Sequence, residues 1–374
     1  VGYHESVAGD LDRDVLDAML TSRPLRIQHR TGAAWFLNTH ACRTLRLDDD
    51  FDDPQTARGV ERDASGRATG RLFRLDAWLA ERTRNTSRPS LAAISRELAA
   101  CGVTGVTDAT YTNDADALAH IADAAAAGEL LQKALVMGTH ALPDARRLGV
   151  CVGAVKIVID ERDPPAPEML GDSIARAHAR GRAVAIHCVT RVELVIACAA
   201  LAAAGTVAGD RVEHASIAPP ELASQLAALG VTVVTQPSFV RERGDRYLVD
   251  VDERDLPWLY RLRGFDEAGV ALAGGTDAPY GSADPWAAMR AAVDRRTLAG
   301  RTVGSEEAIS PERALALFTS PPKLPGGSPR RVCVGAVADL VVLREPWSRA
   351  RHQLSSDLVT ATIRDGAIIW KGDS

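Results

Sequence analysis

Lysine is nearly absent: of 44 basic residues only four are lysine, at 133, 156, 323 and 371, and the other 40 are arginine. Such a chain uses arginine wherever a generic cation will serve, so a lysine inside an apolar run asks for a reason. No GxGxxG or GxxxxGK[ST] loop occurs, which excludes the common dinucleotide and triphosphate cradles. No GxSxG elbow occurs either, so serine-hydrolase chemistry has no anchor. The six cysteines at 42, 101, 151, 188, 198 and 333 form no CxxC pair, and a chain of 374 residues needs no disulfide staples, so a reducing cytoplasm is expected. The uncharged stretch Leu194–Gly209, rich in Ala and Gly, is too short to span a bilayer and reads as a buried helix. Neither a basic start nor an apolar signal core is present. The formal charge of −5 argues against nucleic acid and anionic membranes as partners, and the composition is that of an ordinary globular protein.

From about residue 91, short β-branched runs alternate with Ala-rich helical stretches, the pattern of βαβ units in an α/β protein with a parallel sheet. Seven strands are expected: Val103–Thr110, Lys133–Thr139, Val152–Asp160, Ala183–Thr190, Arg211–Ile217, Val231–Phe239 and Val270–Asp277. Helices are expected over Glu168–Arg180, Glu221–Leu229, Trp286–Arg296 and Glu312–Phe318. Periodicity alone leaves a doubly wound sheet and a closed barrel both open. Before this core, residues 1–90 offer two short strand-like pieces, Gly2–Glu5 and Leu25–Arg30. A polar stretch from Arg43 to Arg74 follows and reads as a flap, an insertion or a partly disordered segment. After a Pro/Gly-rich linker, Ser320–Pro329, the runs Val332–Leu343 and Val359–Trp370 alternate as strands of a small β-domain. The organisation expected is thus 1–90 as an N-terminal barrel segment with a flap or insertion, 91–319 as the barrel strands and helices that carry the site, and 320–374 as C-terminal strands of a composite β-domain.

Four polar residues stand at or near the carboxyl ends of expected strands: Lys156 in AVKIVID, His187 in AIHCVT, His214 in RVEHASI and Asp277 in LAGGTDAPYG. They are 31, 27 and 63 residues apart, or one, one and two units of about 30 residues, so a barrel would gather them at one mouth. Each also has a plain structural reading, the histidines as hydrogen-bonded core residues and Asp277 as a turn or cap residue. Lys156 resists that reading. An ammonium among valines and isoleucines is costly, and a neutral amine there is a nucleophile able to take up carbon dioxide as a carbamate whose two oxygens could bridge metal ions.

These residues resemble the amidohydrolase superfamily, and within it the amidohydrolase family 3 branch that includes N-substituted formamide deformylases. The resemblance runs from HRTGAAWFLN through AVKIVID, AIHCVT, RVEHASIAPPE, VVTQPSFV, LAGGTDAPYG with DPWAAM, and SPERALALFT to VGAVADLVVL. It implies a (β/α)8 TIM-type barrel with part of a small β-domain, and a metal-dependent hydrolase acting on carbon–nitrogen bonds other than peptide bonds. It further implies one or two divalent ions, zinc by expectation, with Lys156 as carbamylated bridging ligand and His187 and His214 on the second metal. Asp277 would bind the first metal and act as base.

The His-x-His pair of that family's first barrel strand occurs nowhere in this sequence, nor does an initiator Met. The expectation is therefore a truncated chain with a weakened first metal. The alternative reading is a catalytically incomplete or merely ligand-binding remnant of the same fold. A further one is a metal-dependent deaminase, which would want an acid three residues after a strand-end His, where His187 and His214 have none. Arg30, Gln236, Arg241, Arg243 and Tyr280 are the residues expected at the mouth, where an arginine could bind a substrate carboxylate through two hydrogen bonds. The partners expected are a small-molecule substrate and a second copy of the chain.

Overall fold

A computed structural model describes residues 2–83, 88–143, 150–161 and 164–372. The chain divides into two compact units, Val1–Arg88 and Pro89–Ser374.

In the first unit, strands β1 (Arg26–Gln28), β2 (Ala34–Leu37), β3 (Val60–Arg62) and β4 (Ala68–Phe73) form an antiparallel sheet of order β1-β2-β4-β3. Within the polar stretch 43–74, helix Pro54–Gly59 leads into β3 and β4, so the stretch carries regular structure of its own. Its few apolar residues, Leu45, Leu47, Val60, Leu72 and Leu75, converge with Leu37, Cys42 and Leu79 into one buried cluster. The charges that dominate the composition pair off or point outward. Arg13, almost fully buried, holds Asp48 at 2.8 Å and the Thr39 hydroxyl at 2.8 Å. The expected strand over Gly2–Glu5 is reduced to a single bridge from Tyr3 to His29, because Glu5–Ala8 is helical.

The second unit holds the seven expected parallel strands: β5 (Gly105–Asp108), β6 (Lys133–Gly138), β7 (Cys151–Val158), β8 (Val184–Cys188), β9 (Arg211–His214), β10 (Thr232–Thr235) and β11 (Ala271–Gly274). They pair in strict sequence order from β5 to β11. A doubly wound sheet would reverse direction partway, so this order is that of a barrel wall. Among the described residues there are seven parallel strands rather than eight, and β5 and β11 do not pair. Helices Pro167–Ala179, Arg191–Ala204, Pro220–Leu229, Pro285–Asp294 and Pro311–Thr319 cover one face of the sheet. The stretch expected as a buried helix is helical over Arg191–Ala204 and buries Leu194, Ala197, Cys198 and Leu201, while Val192 and Val195 face out.

Strand alternation sorts the side chains. Val155, Ile186, Val212, Val233 and Leu272 pack into the helices, where burial of each such residue contributes about 1.5–3 kcal/mol. Register places Lys156 beside Ala185, His187 beside Glu213 and Glu213 beside Val234, all on the opposite, inner face.

A three-stranded antiparallel sheet, β12 (Leu340–Leu343), β13 (Val359–Arg364) and β14 (Ala367–Lys371), closes the chain. Only the last four residues of the expected strand Val332–Leu343 pair, since a turn at Cys333–Ala336 with Gly335 at φ +85° interrupts it. Val359–Trp370 is two strands around Asp365-Gly366, both at positive φ. Lys133 of β6 bridges this sheet to the barrel wall, reaching Asp339 at 3.0 Å and Asp365 at 2.6 Å.

Candidate metal centre

Lys156 lies on β7 with its side chain only 6% exposed. Its nearest carboxylate oxygen is Glu213 Oε1 at 4.0 Å. Burial pulls the amine below its ordinary pKa, and Glu213 offsets part of that. Glu213 is the residue the sequence reading passed over. It sits equally deep and accepts from Arg211 Nε at 2.8 Å. Burial alone would raise its carboxyl, but Arg211 and Lys156 hold it below the usual range. The signal was available: in RVEH, Arg and Glu alternate on an apolar strand, the argument that singled out Lys156.

His214 ends β9, where alternation would send it outward with Cys188. Instead His214 and Ala215 take φ of +69° and +45°, which turns the imidazole inward beside its own neighbour Glu213. Left-handed backbone in a non-glycine residue costs of order 1 kcal/mol and gathers at functional sites. His187 and His214 meet edge to face with ring centroids 4.5 Å apart. Gln236, directly after β10, donates through Nε2 to the Val234 carbonyl and so presents Oε1 to His214 Nδ1 at 2.6 Å. Nδ1 therefore carries the proton and Nε2 keeps its lone pair, the state a metal ligand needs. Burial and Lys156 push His214 down to about 3, so it is neutral across the physiological range.

Asp277 follows β11 by three residues at φ +52°, its carbonyl accepting the Tyr280 N–H at 2.8 Å. Burial raises its carboxyl to about 6; Lys156 and Arg243 oppose the rise and Glu213 adds to it.

The four expected residues thus share one end of one sheet, joined by Glu213 and Gln236. The other expected mouth residues fare differently. Gln236 is buried and committed to His214. Arg241 lies on helix Ser238–Asp250, and its carbonyl accepts from Leu298 N at 3.0 Å. Tyr280 packs against the cluster of Phe239, Val240, Leu259, Tyr260 and Val303. Arg30 belongs to the first unit, its N–H bonded to the Tyr3 carbonyl at 2.8 Å.

Two imidazoles, one carboxylate and a desolvated amine form a donor set that suits a divalent ion such as zinc. Among the described residues no three His, Cys, Asp or Glu side chains converge closely enough by themselves to hold an ion. No helix among them is long and apolar enough to cross a membrane.

The sequence profile of the amidohydrolase family matches residues 8–370. An N-substituted formamide deformylase of Arthrobacter pascens is 27% identical over 409 aligned positions, covering 95% of this chain and 75% of that protein. Two solved structures, metal-dependent hydrolases of uncharacterized function from Pyrococcus horikoshii OT3 and Pyrococcus furiosus, share the fold. Both are 21% identical and cover 85% of this chain, with TM-scores of 0.64 and 0.60 over 70% and 71% of their own lengths. The chain belongs to the amidohydrolase family, and its activity class is that of a hydrolase.

Proposed function

We propose that this chain hydrolyses a carbon–nitrogen bond other than a peptide bond, in an amide or N-formyl substrate, with a divalent metal at the carboxyl ends of β7, β8, β9 and β11. The observation that carries this is the meeting of Lys156, His187, His214 and Asp277 on one inner face, with a lysine that burial drives toward the neutral amine. The formamide deformylase relative supports the substrate class.

His187, His214, Asp277 and Lys156 would hold the ion, zinc being the choice that nitrogen and oxygen donors favour. Lys156 would contribute as a carbamate, its nitrogen bonding to the carbon of carbon dioxide and releasing one proton. When bound, the metal supplies Lewis acidity that polarises the substrate carbonyl and acidifies water. Asp277 takes the proton of the attacking water at its carboxylate and returns it to the leaving nitrogen. A carboxyl raised to about 6 is matched to that shuttle at neutral pH. Gln236 holds His214 in one tautomer and one orientation.

Elemental analysis of the purified chain, with Lys156→Ala as control, tests the reading. Expected are about one or two equivalents of metal, lost in the variant, together with turnover of N-formyl or N-acyl amines. An absence of metal and turnover in both proteins would overturn it in favour of a remnant that binds without catalysis.

A further inference from the structure

Helix Ser238–Asp250 begins directly after β10, so its first two turns stand at the same end of the sheet as His214 and Asp277. Arg243, on the second turn, is held from two sides. Its guanidinium carbon lies 3.8 Å from the centroid of the Phe239 ring, and Nη2 donates to the Tyr280 carbonyl at the far end of the Asp277 turn. Phe239 is itself buried and stacks edge-on to Tyr260 at 5.8 Å.

Four other arginines of the second unit are spent on carboxylates. Arg246 pairs with Asp250 at 2.6 Å, Arg301 with Asp245 at 2.8 Å, Arg261 with Glu307 at 2.7 Å and Arg211 with Glu213 at 2.8 Å. Among the described residues no carboxylate stands within ion-pair distance of Arg243. Its charge nevertheless reaches the centre, where it opposes the rise of Asp277 and disfavours a charged His214. A half-buried guanidinium, fixed in plane by stacking and one carbonyl, keeps further N–H groups in a fork that matches a carboxylate. Such pre-set geometry cuts the ordering cost of binding.

Resting on the hydrolase reading above, we propose that Arg243 is the specificity residue that receives a substrate carboxylate, so that the preferred substrates are N-formyl or N-acyl amino acids rather than neutral N-substituted amides. The carboxylate would sit on the guanidinium while the acyl carbon faces Asp277.

The test compares N-formylphenylalanine with N-formylphenethylamine, which lacks only the carboxylate, by titration calorimetry on the metal-loaded wild type, Arg243→Ala and Arg243→Lys. Wild type should bind the acid at least about tenfold more tightly, the worth of one charge-assisted contact. That ratio should fall close to one in the alanine variant and lie between in the lysine variant. Lysine keeps charge and stem without the fork, so it also guards against a variant that merely misfolds. Were Arg243 only a clamp on the Asp277 turn, both ligands would weaken together and the ratio would survive, which overturns the proposal; so does a wild type without preference. Turnover of both compounds without discrimination would remove the carboxylate role and leave the hydrolase standing. Selective binding without turnover would do the reverse.

Discussion

At the scale of single residues, Asp277 shows the conflict between a working site and a stable fold. Its carboxyl ionises at about 6 in the folded chain against an ordinary 3.8, because burial penalises the anion more than Lys156 and Arg243 relieve it. The folded state thus binds this proton more tightly than the unfolded chain does. The stability so contributed is fully present below about 3.8 and is lost as pH rises through about 6. Asp277→Asn is isosteric and carries no charge to bury. In the presence of a chelator it should be more stable to unfolding than wild type at pH 8, by roughly 3 kcal/mol, with the gap closing by pH 4. The same variant should lose turnover. A gap that stays constant from pH 4 to 8 would show that the carboxylate is not desolvated as described. His214 runs the other way: held neutral down to about 3 against 6.5, it favours folding above 6.5 and ceases to as the solution acidifies.

At the scale of elements, the site depends on helices pressed against strand ends. A Cβ at Gly274, the last residue of β11, would stand 2.7 Å from Phe318 Cζ and 3.2 Å from Leu317 Cβ on helix Pro311–Thr319. Gly274→Val should therefore destabilise by about 1–3 kcal/mol, the cost of overpacking, and displace the turn that carries Asp277. Gly171 is the contrast, helical with nothing within 4 Å of its Cβ position, so Gly171→Ala should stabilise by about 0.5–1 kcal/mol. Urea titrations of both variants check the pair; equal effects would mean that helix Pro311–Thr319 yields freely.

All seven parallel strands were legible because each is a short apolar run between helical stretches, fully buried in β9 and β10, and the spacing of Lys156, His187, His214 and Asp277 followed from the repeat length. The sheet of the first unit was not legible. Its core is built from isolated leucines among charges, and the pairing of Arg13 with Asp48 is invisible until the chain folds. Gln236 was placed at the mouth, yet its partner is His214, since only the inward turn at φ +69° brings that imidazole across. The break of Val359–Trp370 was readable from Asp365-Gly366, a turn pair that the alternation around it hid.

At the scale of the whole molecule, a metal at the inner face would be a long-range fastener. Its ligands come from β7, β8 and β9 and from beyond β11, so they meet only when the wall of the second unit is assembled. A ligand of this kind binds the native state and not the unfolded chain, and at a hundredfold excess over its dissociation constant adds about 2.7 kcal/mol. For a unit of this size that is a rise of about 4–5 °C in the transition that unfolds it. Zinc should raise the melting temperature of wild type by that amount and leave Lys156→Ala and His187→Ala unmoved. The variants are the decisive arm, because exposed groups elsewhere on the chain can take up zinc without the inner face. A shift equal in wild type and variants would assign the stabilisation to such surface groups. One that disappears with either Lys156 or His187 makes assembly of the inner face and loading of the metal a single equilibrium, in which every destabilising change in the wall also weakens the metal.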